Sequence, residues 1–135
     1  MYPIRLLLAD DHANVRTQIR ARLSHENHFE IVGEAADSAQ TIKIALAEKP
    51  HIVLIDPMMR DGQGLDALRQ ISTSLPATAL VVLTAVSDTA TQIELRKLGV
   101  RGILNKGIDS QQLVETLREI GERVLIYNHD LGRLS

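Results

Sequence analysis

With 135 residues, 44% of them hydrophobic, the chain can bury one ordinary core, and a second independent domain would have too little left to fold. Fifteen basic against seventeen acidic residues give a net charge of −2 and no broad electrostatic footprint for nucleic acid or an anionic membrane. The absence of cysteine excludes disulfides, thiolate metal sites and a thiol nucleophile, and the N-terminal apolar run is too short for a signal peptide or a membrane span, so a soluble, cytoplasmic protein is expected.

Ile4 to Ala9 reads as a buried strand ending at Asp10-Asp11. Val15, Ile19 and Leu23 then recur at helical spacing, and Arg16 and Arg20 read as solvated charges on that helix's outer face. Glu30 to Ala36 is a second strand, followed by Asp37-Ser38 as cap candidates and a helix carrying Ile42 and Leu46, closed by Pro50. Ile52 to Ile55 is an apolar, largely β-branched run that stops at Asp56, the pattern of a strand buried on both faces. A turn rich in Asp and Gly leads to a helix with Leu65, Leu68 and Ile71 inward, stopped before Pro76. Ala79 to Leu83 is the fourth strand, ending at Thr84-Ala85. The helix from about Asp88 to Leu98 has the weakest apolar stripe, with Ile93, Leu95 and Leu98, and is expected to dock least firmly before Gly99 ends it. Val100 to Leu104 is a fifth strand ending at Asn105-Lys106-Gly107, and Asp109-x-x-Gln112 is a capping-box pattern before a helix bearing Leu113, Leu117 and Ile120. Five β-α units thus fill one domain over residues 1–121. Residues 122–135 read as a C-terminal tail or the start of a linker, too short for a DNA-binding helix-turn-helix, so no nucleic acid is expected to bind this segment.

Alternating strands and helices imply a doubly wound parallel α/β sheet with helices on both faces and right-handed crossovers. All strand ends then point one way, which collects Asp10, Asp11, Asp56, Thr84 and Lys106 along a single edge. Two unit charges about 4 Å apart repel by roughly 4 kcal/mol at an effective dielectric near 20, so three clustered carboxylates ask for a cation beyond the single lysine. Oxygen-only ligands suit Mg²⁺. A carboxylate can accept a phosphoryl group to give an acyl phosphate, and Asp56 is the candidate, with Thr84 able to donate a hydroxyl to the same group.

The acidic pair Asp10-Asp11, the lone Asp56, Thr84 and Lys106 stand in an order and approximate spacing that resemble a response-regulator receiver domain. The run Asp10-Asp11-His12-x-x-Val15-Arg16 further resembles receivers of LuxR-type regulators. The resemblance implies a flavodoxin-like (βα)5 fold with strand order 2-1-3-4-5. It implies Mg²⁺ held by Asp10, Asp11, Asp56 and the Met58 backbone carbonyl, and Asp56 as phosphoacceptor. Thr84 and Lys106 would contact the phosphoryl group and relay its presence. Its expected partners are a sensor histidine kinase or a histidine phosphotransfer protein, and an output protein or an effector domain missing from this segment. No membrane partner is expected, and a homodimer is left open. Such a chain is a phosphoacceptor regulator rather than an enzyme, using the face around the fourth helix, fifth strand and fifth helix for output.

Three positions depart from the receiver pattern. Pro57 has no N–H to offer phosphoryl oxygens, so slower or less complete phosphorylation than in a Pro57→Leu variant is expected. Arg60 stands where the family usually has proline, so a different loop geometry is expected, with Gly62 and Gly64 keeping the loop able to turn. Ile103 occupies the position of a switching Tyr or Phe, which leaves population shift through Thr84 and Lys106. Moving a balance from 1:99 to 99:1 takes about 5.5 kcal/mol, which two charge-assisted contacts only just supply, so an incomplete switch is expected. Met58 and Val86, apolar and unable to orient water, suggest a slowly hydrolysed phosphoaspartate. The rival readings are a phosphorylation-independent, receiver-like interaction scaffold and, more weakly, a small phosphatase with Asp56 as nucleophile. Gly62-x-Gly64-x-x-Ala67 imitates a dinucleotide-binding turn but has no acidic residue at the next strand end, and His25-x-x-His28 has no third metal ligand; both read as ordinary loop chemistry.

Overall fold

The computed structural model describes residues 2–85 and 88–134, with side chains through residue 128; Val86 therefore lies outside the described residues. Five strands, β1 (Ile4–Ala9), β2 (Phe29–Ala35), β3 (Ile52–Ile55), β4 (Ala79–Thr84) and β5 (Gly102–Asn105), alternate with α1 (Ala13–Ser24), α2 (Ser38–Glu48), α3 (Gly64–Ser74), α4 (Thr89–Lys97) and α5 (Ser110–Leu134). The sheet is parallel throughout, in the order β2-β1-β3-β4-β5. This is the expected flavodoxin-like arrangement.

The central strands β3 and β4 are apolar and buried throughout, and β1 nearly so, because each face of the sheet has its own core. Leu6, Leu8, Leu54, Val81 and Leu83 pack with Ile19 and Leu23 of α1 and Leu113, Leu117 and Val124 of α5. Leu7, Ala9, Val53, Ile55, Leu80 and Val82 meet Ala45 of α2, Leu68 and Ile71 of α3 and Leu95 of α4. Each fully buried Leu or Ile contributes about 1.5 to 3 kcal/mol, so a one-residue slip of any central strand would exchange two filled cores. Between β1 and β2 the register shifts once, with Leu6 opposite Ile31 and Leu7 opposite Gly33, leaving Val32 as a bulge.

Side-chain caps fix several helix starts. Asp37 accepts from the Gln40 N–H at 2.8 Å, Asp88 from Thr91 at 2.7 Å and Asp109 from Gln112 at 2.9 Å. Helix α4 fully buries only Leu95, and Ile93 is half exposed, in keeping with its weak apolar stripe. Helix α5 differs from expectation, because it continues past Gly121 to Leu134. Gly121 is not a terminator: a Cβ there would stand 2.6 Å from Ile4 Cδ1, so its bareness lets α5 cross closely over the start of β1. One turn later Val124 is fully buried in the α1–α5 core.

Candidate functional site

Main-chain bonds just beyond the strands hold the acidic edge in place. The Asp10 N–H donates to the Ala35 carbonyl, the Asp56 N–H to Ala9 and the Lys106 N–H to Thr84, each at 3.0 Å. Three residues from distant parts of the chain are thereby fixed one step outside the sheet. Asp10 and Asp56 are nonetheless buried, as is Thr84, which closes β4 opposite Asn105.

Lys106 ties the carboxylates together, its Nζ lying 2.6 Å from Asp56 Oδ2 and 2.8 Å from Asp10 Oδ2. Burial works against its charge, but the hydrogen bonds to Asp10 and Asp56 and their negative charges outweigh it, and the lysine pKa is raised above its ordinary value. The second oxygen of Asp56 accepts the Met58 N–H at 2.9 Å, while the Met58 side chain is exposed. The donor to Asp56 in this loop is thus two residues on from the acceptor, past Pro57.

Asp11 is engaged from both sides. Its Oδ1 lies 3.0 Å from His12 Nδ1, and its Oδ2 accepts the Arg60 N–H at 2.8 Å with the Arg60 Nε at 3.5 Å. His12 Nδ1 also lies 3.1 Å from Asp10 Oδ1, which accepts the His12 N–H at 2.8 Å. Side-chain contacts therefore link Asp10, Asp11, Asp56 and Lys106 at one edge, with His12 and Arg60 added to them, and Thr84 stands at the same edge through its main-chain bond with Lys106. Sequence reasoning gave neither His12 nor Arg60 a place among the acids, since adjacency in sequence does not say that the His12 imidazole turns onto both carboxylates and Arg60 reaches the pair from another loop.

Arg16 corrects a second expectation. Far from being solvated, its side chain is largely buried, donates to the Asp10 carbonyl at 2.6 Å and approaches Glu34 Oε1 at 3.3 Å. Helical side chains lean toward the helix N-terminus, so an arginine in the first turn of α1 can reach back over the Asp10-Asp11 turn. Arg20 pairs with the other Glu34 oxygen and is half exposed, as an outer-face charge should be.

The β3–α3 loop is shaped by its glycines and by Asp61. Gly62 has φ +71° and closes a turn onto the Met59 carbonyl at 3.0 Å; a Cβ at Gly64 would fall 1.9 Å from the Pro57 carbonyl oxygen. Asp61 accepts from the Ser38 N–H and hydroxyl and from the Gln63 N–H, bonds that hold its pKa below the usual carboxylate value and pin the loop to the start of α2. The dinucleotide-like glycine pattern is absorbed by this turn.

Among the described residues, Asp10, Asp11 and His12 form the group of acidic and histidine side chains whose donor atoms lie close enough, within 4.8 Å of one another, to share an ion. Through Lys106, Asp56 borders the same space. The carboxylate oxygens fit a hard divalent cation, and the imidazole adds little to such a site.

Residues 6–118 match the family model of the response regulator receiver domain. The chain belongs to that family. It is 31% identical over 118 residues to the oxygen regulatory protein NreC of Staphylococcus epidermidis, a match covering 87% of this chain and 54% of NreC. The chain thus spans about half the length of that relative. Among solved structures it is similar to the receiver domain of AraT, a response regulator from Geobacillus stearothermophilus, with TM-score 0.84 and 26% identity over 94% of this chain and 99% of that one. A LuxR-family two-component response regulator from Aurantimonas sp. SI85-9A1 gives TM-score 0.83 and 26% identity, covering 90% and 86% of the two chains. These likenesses bear out the LuxR-type receiver pattern. No helix of the described residues is long and apolar enough to cross a membrane.

Proposed function

We propose that this receiver domain accepts a phosphoryl group on Asp56 and answers by changing the surface it offers to an output partner. The single observation that carries the reading is the Lys106 ammonium bridging Asp56 and Asp10 at the rim of the sheet. An Asp56 oxygen attacks phosphorus while the bond from phosphorus to the donor's imidazole nitrogen breaks; that nitrogen keeps the bonding pair and, with the other ring nitrogen already protonated, the donor histidine departs as neutral imidazole. The product is an acyl phosphate on Asp56. Asp10, Asp11 and Asp56 would hold Mg²⁺ together with the Met58 carbonyl, and the ion supplies neutralisation of charge on the transferring oxygens when bound.

Lys106 would exchange its hold on the Asp56 oxygen for a phosphoryl oxygen, and Thr84, at the end of the neighbouring strand, would give its hydroxyl to another. The Met58 N–H steadies the Asp56 oxygen it already bonds. A sensor histidine kinase or a phosphotransfer protein is the donor this chemistry requires, and an output protein or a further effector domain is the receiver of the signal. The likeness to NreC and to a LuxR-family regulator supports an output in transcription.

A second reading, a scaffold that works without phosphorylation, draws on Pro57, which removes a donor beside the acceptor, and on Arg60 seated on Asp11. Incubation with Mg²⁺ and acetyl phosphate, followed by intact mass, separates the two. A phosphoryl gain in the parent and none in Asp56→Asn is expected. No gain in the parent, or the same gain in the variant, would overturn the phosphoacceptor reading.

A further inference from the structure

We infer that Arg60 is a built-in competitor for the divalent-ion site, a positive charge delivered by the β3–α3 loop to Oδ2 of Asp11. The inference rests on the reading of Asp10, Asp11 and Asp56 as metal ligands and concerns how tightly they bind. The Arg60 main-chain N–H donates to Asp11 Oδ2 at 2.8 Å, and its guanidinium Nε lies 3.5 Å from the same oxygen. The other oxygen, Oδ1, faces His12 Nδ1 at 3.0 Å. Asp10 and Asp56 share Lys106. Every carboxylate of the edge therefore already faces a basic side chain of the chain itself, and an entering ion must displace these groups or bind beside their charge.

The two Arg60 contacts act differently. The main-chain bond fixes the carboxylate plane and is compatible with ligation through Oδ1 once His12 turns aside. The guanidinium is the opposing element: it is mostly exposed, so little burial is lost when an ion displaces it from Asp11, yet its tether keeps a unit charge near a doubly charged ion. Solvent screens such a charge, so its effect is a modest reduction in affinity that salt diminishes. The loop is held at Asp61 and packed at Gly64, so its tether point does not drift away from Asp11.

The test is direct binding with no phosphodonor: titration with Mg²⁺, and with Mn²⁺ as a second probe, read by amide chemical shifts and calorimetry. Arg60→Gln retains the N–H and removes the charge, Arg60→Pro removes both, and Arg60→Lys keeps the charge. Gln and Pro variants are expected to bind about three- to tenfold more tightly than the parent at low salt, about 0.7 to 1.4 kcal/mol, with the gain shrinking as salt rises and the Lys variant staying near the parent. Equal affinity in all four proteins overturns the inference and leaves the metal reading intact. A gain in the Pro variant alone transfers the effect to the N–H and overturns the charge argument. Failure of all four to bind either ion removes the metal reading itself. The unfolding midpoint of each variant, measured without ion, establishes that the comparison is between folded proteins.

Discussion

Lys106 Nζ stands 2.6 Å from Asp56 Oδ2 and so holds the central carboxylate by the shortest ion pair at the site's core. The same ammonium is the neighbour of Asp10, which means that its removal leaves two buried carboxylates facing each other. Lys106→Met should lower unfolding stability by about 1 to 3 kcal/mol at neutral pH without divalent ion, below the cost of breaking a fully buried pair because the lysine is partly exposed. Added Mg²⁺ should recover more stability in the variant than in the parent, since the ion replaces the lost positive charge. Urea unfolding with and without Mg²⁺ measures both effects. An equal Mg²⁺ increment in the two proteins would show that Lys106 and the ion do not answer the same charge.

Gly121 supplies a prediction whose sign depends on its partner. A Cβ at this position would meet Ile4 Cδ1, Cγ2 and Cγ1 at 2.6, 2.7 and 2.8 Å. Overpacking of this kind costs about 1 to 3 kcal/mol, while replacing a helical glycine by alanine returns about 1 kcal/mol. Gly121→Ala should therefore destabilise the parent by about 1 kcal/mol and stabilise an Ile4→Ala background by a similar amount. Urea unfolding of the four proteins closes the cycle. The same sign in both backgrounds would mean that the glycine is not there for the approach of α5 to Ile4.

The fold was legible because apolar strands such as Ile4–Ala9 and Ile52–Ile55 stop at carboxylates, and the helices between the strands carry apolar stripes and caps. Asp10, Asp56, Thr84 and Lys106 could be assembled on one edge from strand ends alone. Arg60 could not, because nothing in a loop sequence states which way its N–H will point, and its contact with Asp11 depends on the turn made by Gly62. Arg16 was misread because polar residues in a first helical turn look solvated unless the side chain's backward lean is considered. The passage of α5 beyond residue 121 was not legible for another reason: only the position of Ile4 explains why the helix carries a glycine there and continues through it. Val124, in the segment taken for a tail, is buried by the same continuation.

His51 gives a pH dependence remote from the acidic edge. Its Nδ1 accepts the Arg5 N–H at 2.9 Å, and burial together with the Arg5 charge lowers its pKa below 6.5. The Arg5 guanidinium itself is turned onto Glu48, 2.8 Å from Oε2. Because the unfolded chain then binds the proton more readily than the folded one, this contribution is present above about pH 6.5 and is lost as pH falls through the folded pKa. His51→Gln should remove it, so the parent's stability relative to the variant should decline between pH 7.5 and 5 by less than about 1 kcal/mol, the imidazole being partly exposed and screened. Urea unfolding across that range reads the difference, in which other titrating groups cancel. Parallel curves would exclude a differential proton at His51.

Arg16 and Arg20 both meet Glu34, but only Arg16 also donates to the Asp10 carbonyl, at 2.6 Å. Arg16 is thus a positioning residue for the Asp10-Asp11 turn, whereas Arg20 is a partner of Glu34 on the helix surface. Arg16→Met should cost about 1 to 3 kcal/mol, the range for charged hydrogen bonds and for an acceptor left unsatisfied, and Arg20→Met less than about 1 kcal/mol. A purely structural role would end there. A positioning role adds that divalent affinity falls several-fold in the Arg16 variant, because the carbonyl and carboxylate of Asp10 belong to one turn, while the Arg20 variant binds as the parent does. Calorimetric Mg²⁺ titration below the unfolding midpoint distinguishes the two. Unchanged affinity in a folded but less stable Arg16→Met protein would reduce this arginine to a brace between α1 and β2.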